Sequence, residues 1–266
     1  MTVANRTKGI DPRVVELQTV PRPVAAFAVD YPNGHVIPWH SHPRAQLIHA
    51  TRGVMTVGTG DATWVVPPHR ALWMPAGVEH TIRASGQLAL RTLYINSDAA
   101  PDLPAACRVI TVTPLLLQLI LRAIDLPTLY DANGPEGRLV QVMMDEIARL
   151  PEAPLNLPAP TDPRLKRVAD ALIVAPGDSR SLAAWGRAVG ASERTLARLF
   201  PIETGLSFRQ WRERARLMHA LSRLADGEAV TSVALDLGYD SPSAFTAMFR
   251  RALGAPPSRY FAAAAS

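Results

Sequence analysis

The sequence predicts an α+β protein of two domains, in which an N-terminal antiparallel β-barrel precedes an all-α domain with two helix-turn-helix motifs. Two observations support this prediction. Residues 24–98 alternate short strand-like runs with Gly, Pro and Asp turns, whereas the chain beyond residue 160 shows only helical periodicity. With 266 residues, of which 48% are hydrophobic, the chain is long enough to bury two cores.

The chain divides into four predicted segments. These are a barrel at residues 15–110, a helical hairpin at 111–150, a proline-rich linker at 151–163 and a helical domain at 161–266. The clearest strands of the barrel are Gln46–Ala50, Val54–Gly58, Ala62–Val66, Ala71–Met74 and Leu88–Ile95. Such closely spaced strands are typical of a sandwich or a barrel. The five prolines of the 151–163 segment predict a stiff linker.

Capping signals and apolar periodicity predict the helical hairpin. Thr113 is a good N-cap, Pro114 suits the first helical position, and Pro127 stops the helix. A second helix is predicted from about residue 136 to residue 150. The apolar residues of the two helices are Leu115–Leu117, Leu119–Leu121, Leu139, Met143, Ile147 and Leu150. We expect them to form a dimer contact, and packing within the same chain is the alternative.

Six of the seven histidines lie between His35 and His80. Because alternate residues of a strand face the same side, His40 and His42 can point into one site, which His80 on a neighbouring strand would complete. Three imidazoles suit Zn²⁺, Ni²⁺, Mn²⁺ or Fe²⁺. In the alternative, these histidines hydrogen-bond an organic effector or each other. We also expect an apolar effector pocket, although its residues suit an ordinary core as well: Trp39, Leu47, Met55, Trp64, Trp73 and Met74.

The spacing of these residues resembles the two cupin motifs, which read here as Gly34, His40-x-His42, Gln46 and Gly53, and then Pro75-x-Gly77-x-x-His80. The resemblance covers residues 24–98. It implies a small antiparallel barrel with an inward-facing metal site at His40, His42 and His80. Gln46 stands where the family usually has a glutamate. A neutral amide holds a divalent ion less strongly, and it removes a possible general base.

The excess positive charge is confined to the predicted helical domain. Residues 1–160 carry 13 basic and 13 acidic residues, whereas residues 161–266 carry 15 basic and 10 acidic residues. The net charge of +5 therefore lies entirely in the C-terminal part, which makes a polyanion a candidate partner. A helical bundle with solvated surface arginines is the alternative.

The predicted helical domain repeats a helix-turn-helix motif. In each copy an apolar residue lies eight positions before a glycine, Gly190 or Gly238, that permits a left-handed turn. A capping residue follows, which is Ser192 in the first copy and Asp240 or Ser241 in the second. The helix between the copies has about 19 residues and would span ~28 Å, close to the ~34 Å between successive major-groove segments. The second helix of each copy can therefore enter the major groove of DNA.

Residues 182–260 resemble the DNA-binding domain of the AraC/XylS family of bacterial transcription regulators. The resemblance lies in SERTLARLF (192–200), ETGLSF (203–208), VALDLGYDSPSAFTAMFRR (233–251) and LGAPPSRY (253–260). It implies seven helices, with reading helices at 193–200 and 242–252. We expect the DNA contacts at Arg194, Thr195, Ala197, Arg198, Ser243, Thr246, Ala247, Arg250 and Arg251, of which the last two suit phosphates. Three residues depart from the family's pattern, namely Gly186, Pro201 and Ala247.

Together these features predict a cytoplasmic, homodimeric transcription regulator that binds double-stranded DNA. A small molecule or a metal in the barrel would alter operator binding or contact with RNA polymerase. The single cysteine, Cys107, suits a reducing compartment. The longest apolar run, Leu115–Leu121, is far shorter than the ~20 residues of a membrane span, so we expect no membrane partner. The alternative is a cupin metalloenzyme, such as a dioxygenase or an isomerase, but Gln46 weakens the metal site and the base that an enzyme needs.

Overall fold

The computed structural model describes residues 11–99, 103–153 and 155–262. The chain forms two compact units. The sheet unit comprises the residues up to 60 and residues 66–154, and the helical unit comprises residues 61–65 and those from 155 onward. Within the described ranges, no helix is both long enough and apolar enough to span a membrane. The predicted order of an antiparallel sheet domain and a helical domain is confirmed.

The sheet unit is antiparallel throughout. A short helix, α1 (Pro12–Leu17), precedes its strands, which are β1 (Val24–Tyr31), β2 (Val36–His40), β3 (Ala45–Thr59), β5 (Arg70–Met74), β6 (His80–Ile95), β7 (Arg108–Thr111) and β8 (Glu152–Ala153), while β4 (Ala62–Val66) lies largely in the helical unit. The strand order is β1-β6-β3-β5-β7-β8, and β2 also pairs with β6. The long strands β3 and β6 therefore form the centre of the sheet.

One long strand replaces two of the predicted ones. The runs 46–50 and 54–58 both belong to β3, whose register against β6 shifts between Ala50 and Val54. Gly53 lies in this irregular stretch with φ of 78°. A side chain there would also come within 2.7 Å of the Gln87 carbonyl oxygen. Gly53 therefore permits a bulge within one strand, whereas the sequence predicts a turn between two strands. The sequence alone does not distinguish the two, because only the pairing of β3 with β6 shows that the strand continues past Gly53.

The helical hairpin covers one face of the sheet. It consists of α2 (Pro114–Ile124), capped by the Thr113 hydroxyl, and α3 (Pro135–Arg149). The core between the hairpin and the sheet includes Leu47, Trp73 and Leu93 of the sheet, Leu116 and Ile120 of α2, and Met143 and Ile147 of α3. Much of the apolar surface that suggested a dimer contact is therefore buried within the chain. Leu115 and Val142 remain about half exposed, at 51% and 47%.

The 151–163 segment does not run as an unpaired linker, since β8 pairs with β7 and a further strand, β9 (Asn156–Pro158), pairs with β4. Pro154 lies outside the described residues. Prolines are compatible with short edge strands, because the N–H groups along the outer edge of such a strand need no partner strand. Side chains of the helical unit hold β9 as well, because Trp211 Nε1 donates to the Pro158 carbonyl at 3.0 Å and Arg214 donates to Asn156.

Over the described residues, the helical unit contains seven helices, the number that the AraC/XylS resemblance implies. They are α4 (Pro163–Val174), α5 (Leu182–Val189), α6 (Glu193–Thr204), α7 (Phe208–Ala225), α8 (Val230–Asp236), α9 (Pro242–Leu253) and α10 (Pro257–Ala262). The prediction that the first reading helix ends at residue 200 is wrong. The helix continues through Pro201 to Thr204, and the N–H of Gly205, its C-cap, donates to the Pro201 carbonyl at 3.0 Å. Pro201 lies inside this helix and has no N–H, so one backbone hydrogen bond of the helix is missing there.

A pH-dependent stability follows from His49 on β3. Its side chain is buried on the face of β3 opposite to Gln46, with Nδ1 2.9 Å from the Arg70 carbonyl oxygen. Burial lowers the pKa of His49 from 6.5 to about 4, although the hydrogen bond to Arg70 opposes this shift. The unfolded chain therefore binds more protons than the folded chain below about pH 6.5, and stability is lost as the pH falls towards 4.

We expect His49→Gln to flatten this pH dependence. Between pH 7 and pH 5 the variant should lose about 2 kcal/mol less free energy of unfolding than the wild-type chain, since it lacks the proton uptake of one buried imidazole. The measurement is urea unfolding, followed by circular dichroism at a series of pH values in the presence of chelator. Identical slopes for the two proteins would show that His49 is not the titrating group.

Candidate functional site

Both helix-turn-helix motifs are closed by the same backbone arrangement. In the first motif Gly190 has φ of 73° and ψ of 40°, and the Ala191 N–H donates to the Gly186 carbonyl at 2.9 Å. In the second motif Gly238 has φ of 74°, and the Tyr239 N–H donates to the Ala234 carbonyl at 3.1 Å. These bonds satisfy carbonyl groups at the end of the first helix of each motif and fix the backbone conformation of the turn.

A serine then caps each reading helix. The Ser192 hydroxyl accepts from the Thr195 N–H at 3.1 Å, and the Ser241 hydroxyl accepts from the Ala244 N–H at 3.2 Å. The sequence offers Asp240 or Ser241 as the cap of the second motif, and in the structure Ser241 is the N-cap. The helix α7 between the motifs has 18 residues and a length of about 27 Å, and it contacts α6 as well as α8.

The first reading helix, α6, separates its residues into two faces. Leu196 and Phe200 are fully buried, and Leu199 is half-buried. Arg194, Ala197 and Arg198 are exposed, whereas Thr195 is half-buried and its hydroxyl lies 2.8 Å from that of Ser192. Neither arginine has an acidic partner within the described residues. Their guanidinium groups therefore present all their donors to solvent.

The second reading helix, α9, has fewer strong hydrogen-bond donors on its exposed face. Phe245, Met248 and Phe249 are buried, and the opposite residues line one open surface depression: Pro242, Ser243, Thr246, Ala247, Arg250 and Arg251. The Arg251 guanidinium lies 3.7 Å from the Glu213 carboxylate of α7, but its side chain is 71% exposed. This long surface pair leaves Arg251 accessible.

The sheet unit brings the three predicted histidines together. His40 of β2 lies opposite His80 of β6, and His42 follows two residues later. One ligand atom of each imidazole lies within 4.8 Å of the others. All three side chains are buried. The arrangement has the size of a metal site with three nitrogen ligands.

Hydrogen bonds fix how these imidazoles are oriented. The Nδ1 atoms of His40, His42 and His80 lie 2.8, 2.8 and 2.9 Å from the carbonyl oxygens of Pro38, Arg44 and Val78. Because a carbonyl only accepts, each Nδ1 carries the proton and each Nε2 carries a lone pair. The Nε2 atom of His80 is buried and has no hydrogen-bond partner among the described residues. Its lone pair therefore meets no hydrogen-bond donor from that part of the chain. A metal ion or an N–H or O–H group of a ligand would complete the site.

Gln46 is oriented as a fourth ligand would be. Its Nε2 donates to the Thr92 hydroxyl at 2.9 Å, and Thr92 donates to the Leu47 carbonyl at 3.0 Å. The Gln46 Oε1 atom is thereby turned towards His42 and lies 2.9 Å from its Nε2. At this distance one cation could be ligated by both atoms.

Burial keeps the three histidines neutral. It lowers the pKa of His40 and His42, and together with the neighbouring His40 it lowers the pKa of His80 from 6.5 to about 3. Neutral imidazole is the form that binds a metal. Near neutral pH the site therefore needs no deprotonation before an ion binds.

The structure does not gather the six predicted residues of the effector pocket. Trp39 is 52% exposed, Trp64 lies in the helical unit, and Leu47 and Trp73 face the hairpin. Met74 lies opposite Gln46 across the β3–β5 pair and so shares its face, because directly paired residues point to the same side. Fully buried Met55 lies beyond the register shift of β3. Strand alternation therefore divides the set.

Two residues near the histidines were not predicted from the sequence to belong to the site. Thr92 holds the Gln46 amide, and Tyr94 lies opposite Gln46 with its ring 5.0 Å from that of His42. The alternation within the predicted strand 88–95 places both residues on one face, but it does not show that this face is the one with Gln46. The pairing register supplies that information.

Each of the two units matches a known protein family. The family described as "Helix-turn-helix domain" matches residues 185–263, and "AraC-like ligand binding domain" matches residues 23–140. The HTH-type transcriptional regulator NimR of Escherichia coli is 39% identical over 225 residues, which cover 85% of this chain and 82% of NimR. The HTH-type transcriptional regulator RipA of Corynebacterium glutamicum is 40% identical over 112 residues, or 42% of this chain and 33% of RipA.

Among solved structures, fatty-acid-bound ToxT of Vibrio cholerae has a TM-score of 0.38 and 11% identity, with 90% of this chain and 94% of that chain covered. The sequence match to NimR extends over both units, and the two matching families have the same order along the chain. The chain therefore belongs to the AraC family of transcription regulators, with an AraC-like ligand-binding domain and a helix-turn-helix DNA-binding domain.

Proposed function

We propose that the chain is a cytoplasmic regulator that reads specific sequences of double-stranded DNA with α6 and α9. The observation that carries this proposal is the pair Arg194 and Arg198, which project from the exposed face of α6 without an acidic partner among the described residues. An arginine presented in this way can donate two hydrogen bonds to guanine O6 and N7. Thr195 and Ala197 belong to the same proposed contact surface.

The proposed roles differ between the two reading helices. Ser243 and Thr246 of α9 offer two hydroxyl groups and Ala247 offers a methyl group, which suit weaker base contacts. Arg250 and Arg251 at the end of α9 suit phosphates. A rigid α7 of about 27 Å separates the motifs by slightly less than one helical turn of DNA. Binding by both motifs would therefore require adjacent segments of the major groove.

We predict that Arg198→Ala weakens binding to the operator by about 1–3 kcal/mol and relaxes the preference at one base position, because it removes a base contact. Arg251→Ala should weaken binding to all sequences alike, because it removes a phosphate contact. The operator is first identified as the genomic fragments that the full chain retains, and affinities are then measured on the operator and on single-base variants. Equal, sequence-independent losses for both variants would contradict these roles.

For the sheet unit we propose a sensing role, in which a metal ion or a small molecule at the histidine site alters operator binding or contact with RNA polymerase. His40, His42, His80 and Gln46 would hold Zn²⁺, Ni²⁺, Mn²⁺ or Fe²⁺. The unpartnered Nε2 of His80 and the orientation of the Gln46 oxygen support this ligand set. When bound, the ion would supply a positive centre that polarises an effector or joins the strands that carry its ligands.

The same site argues against the metalloenzyme alternative. The histidine cluster found among the described residues contains no carboxylate, and Gln46 cannot act as a general base. The relatives reported above are named as transcriptional regulators. These observations support sensing as the purpose of the site.

We predict that protein purified without chelator or affinity tag binds one equivalent of added Zn²⁺ or Mn²⁺, and that His80→Ala abolishes this binding. Gln46→Glu should raise the affinity at least about tenfold, because it adds a negative charge among otherwise neutral ligands. Chelator competition with Zn²⁺ and Mn²⁺ measures both effects. His35→Ala is the control, since His35 stacks on Tyr31 outside the cluster. If the wild-type chain takes up none of these ions, the organic-effector alternative replaces the metal.

We also propose that the chain forms a homodimer through its hairpin. Leu115 of α2 and Val142 of α3 are apolar and half exposed, next to the core that covers the sheet. Burial of this apolar surface against a second copy would stabilise the pair.

Sedimentation equilibrium of the full chain should therefore give a mass that rises with concentration towards that of a dimer. The variant Val142→Lys should shift this equilibrium towards the monomer, because a charge in the interface would lose water without a partner. Arg138→Lys, an exposed change on the same helix that retains the charge, should leave it unaltered. A monomer mass that is independent of concentration for the wild-type chain would contradict the proposal.

A further inference from the structure

A basic cleft lies along α7 in the helical unit. It has a volume of about 170 Å³ and is lined by Arg209, Arg212, Glu213 and Arg216 of α7 and by Tyr239 of the second turn. Residues three and four positions apart share one face of a helix, so the three guanidinium groups converge on the same side. We call this feature the α7 cleft.

The positive charge of the α7 cleft is only partly neutralised. Its one carboxylate, that of Glu213, lies 3.7 Å from the Arg251 guanidinium of α9. Arg209 is exposed and has neither a hydrogen bond nor an ion pair in the part of the chain that the structure describes. Burial, and next the neighbouring Arg216, lower the pKa of Arg212, which remains charged. The cleft therefore holds more positive than negative charge.

Two of the arginines are held in place and keep donors free. Arg212 donates one bond to the Arg180 carbonyl at 3.1 Å, and Arg216 donates one bond to the Pro176 carbonyl at 3.0 Å. A guanidinium group has five N–H donors, so each retains several. The backbone bonds fix the two side chains, which lowers the entropy that a ligand must overcome on binding.

Tyr239 adds an unused donor. Within the ranges that the structure describes, its buried hydroxyl has no hydrogen-bond partner, and the Arg216 guanidinium lies over its ring at 5.5 Å from the centroid. Burial raises the pKa of Tyr239 to about 12, so the hydroxyl keeps its proton at neutral pH. A buried hydroxyl without a partner is rare in folded proteins, which indicates that a bound group completes it.

We propose that the α7 cleft binds a phosphate group, to whose oxygens Arg209, Arg212, Arg216 and the Tyr239 hydroxyl donate. A phosphate presents several acceptor oxygens and a negative charge, which match a planar fork of donors better than a single-point acceptor does. Among the described residues, the two nearby carboxylates are already paired, Glu213 with Arg251 and Asp178 with Arg180.

The position of the cleft favours the DNA backbone as the source of the phosphate. Tyr239 lies two residues before Ser241, the cap of the second reading helix. The backbone of a duplex passes beside the start of a helix that enters its groove. This step rests on the proposed function, whereas a free phosphate compound is the other source of the same chemistry.

The test uses the full chain and a random-sequence duplex, because phosphate contacts do not depend on base sequence. Arg209→Ala should weaken binding about five- to tenfold and reduce the slope of log K against log salt by about 0.9. Tyr239→Phe should weaken binding about threefold and leave the slope unchanged, because it removes a neutral donor. The matched control is Arg149→Ala, which removes an exposed arginine of the sheet unit and should change neither quantity.

A second titration uses inorganic phosphate in the absence of DNA and separates the two sources. Uptake of phosphate that Arg209→Ala abolishes, with unaltered duplex binding, would support the site and assign it to free phosphate compounds. Wild-type behaviour of Arg209→Ala and Tyr239→Phe in both titrations would overturn the proposal. If the wild-type chain binds no duplex at all, the proposed DNA function fails, and the phosphate titration alone then decides whether the cleft is a site.

Discussion

The direction in which each reading helix points depends on a turn that glycine makes without strain. Gly190 and Gly238 have φ of 73° and 74°, a region in which a Cβ atom crowds the backbone. The following N–H groups return to the preceding helix, and a serine cap starts the next helix. Because the corner is fixed in this way, burial of Leu196 and Phe200 in the core leaves Arg194 and Arg198 facing solvent.

A comparable constraint, strand alternation, organises the sheet unit. Gln46 of β3 faces the histidines, whereas the next residue, Leu47, faces the core beneath the hairpin. The Thr92 hydroxyl joins the two, since it accepts from the Gln46 amide and donates to the Leu47 carbonyl. Adjacent residues of one strand therefore connect the histidine site to the packing of α2 and α3. A shift of Gln46 at the site cannot leave the opposite face of β3 unaffected.

Local signals allowed much of this architecture to be predicted from the sequence. Thr113 and Ser192 cap the helices that follow them, as predicted, because a cap and its amide lie within three residues of each other. The runs 62–66 and 71–74 are strands for a similarly local reason. The histidines come together as the spacing predicts, with His80 brought beside His40 by the pairing of β2 with β6.

The incorrect predictions concern features that depend on pairing between residues far apart in the sequence. Gly53 has the composition of a turn, and only the pairing of β3 with β6 shows that it forms a bulge. The apolar residues Leu47 and Met74 suit a pocket equally well by composition, yet strand parity places them on opposite faces. The prolines of 151–163 indicate stiffness, but they do not reveal that β9 pairs with β4.

The neutral ligand set of the histidine site would bind a divalent ion less strongly than a set that includes a carboxylate. Three neutral imidazoles and a neutral amide would leave the full charge of a divalent ion uncompensated in a buried site. Burying that charge opposes the ligand bonds, so the affinity is lower than with a carboxylate at position 46. An ion held in this way is present only when its concentration is sufficient, and an anionic effector that shares its charge would increase its occupancy. Such dependence on ion concentration and on an effector is what the proposed sensing role requires.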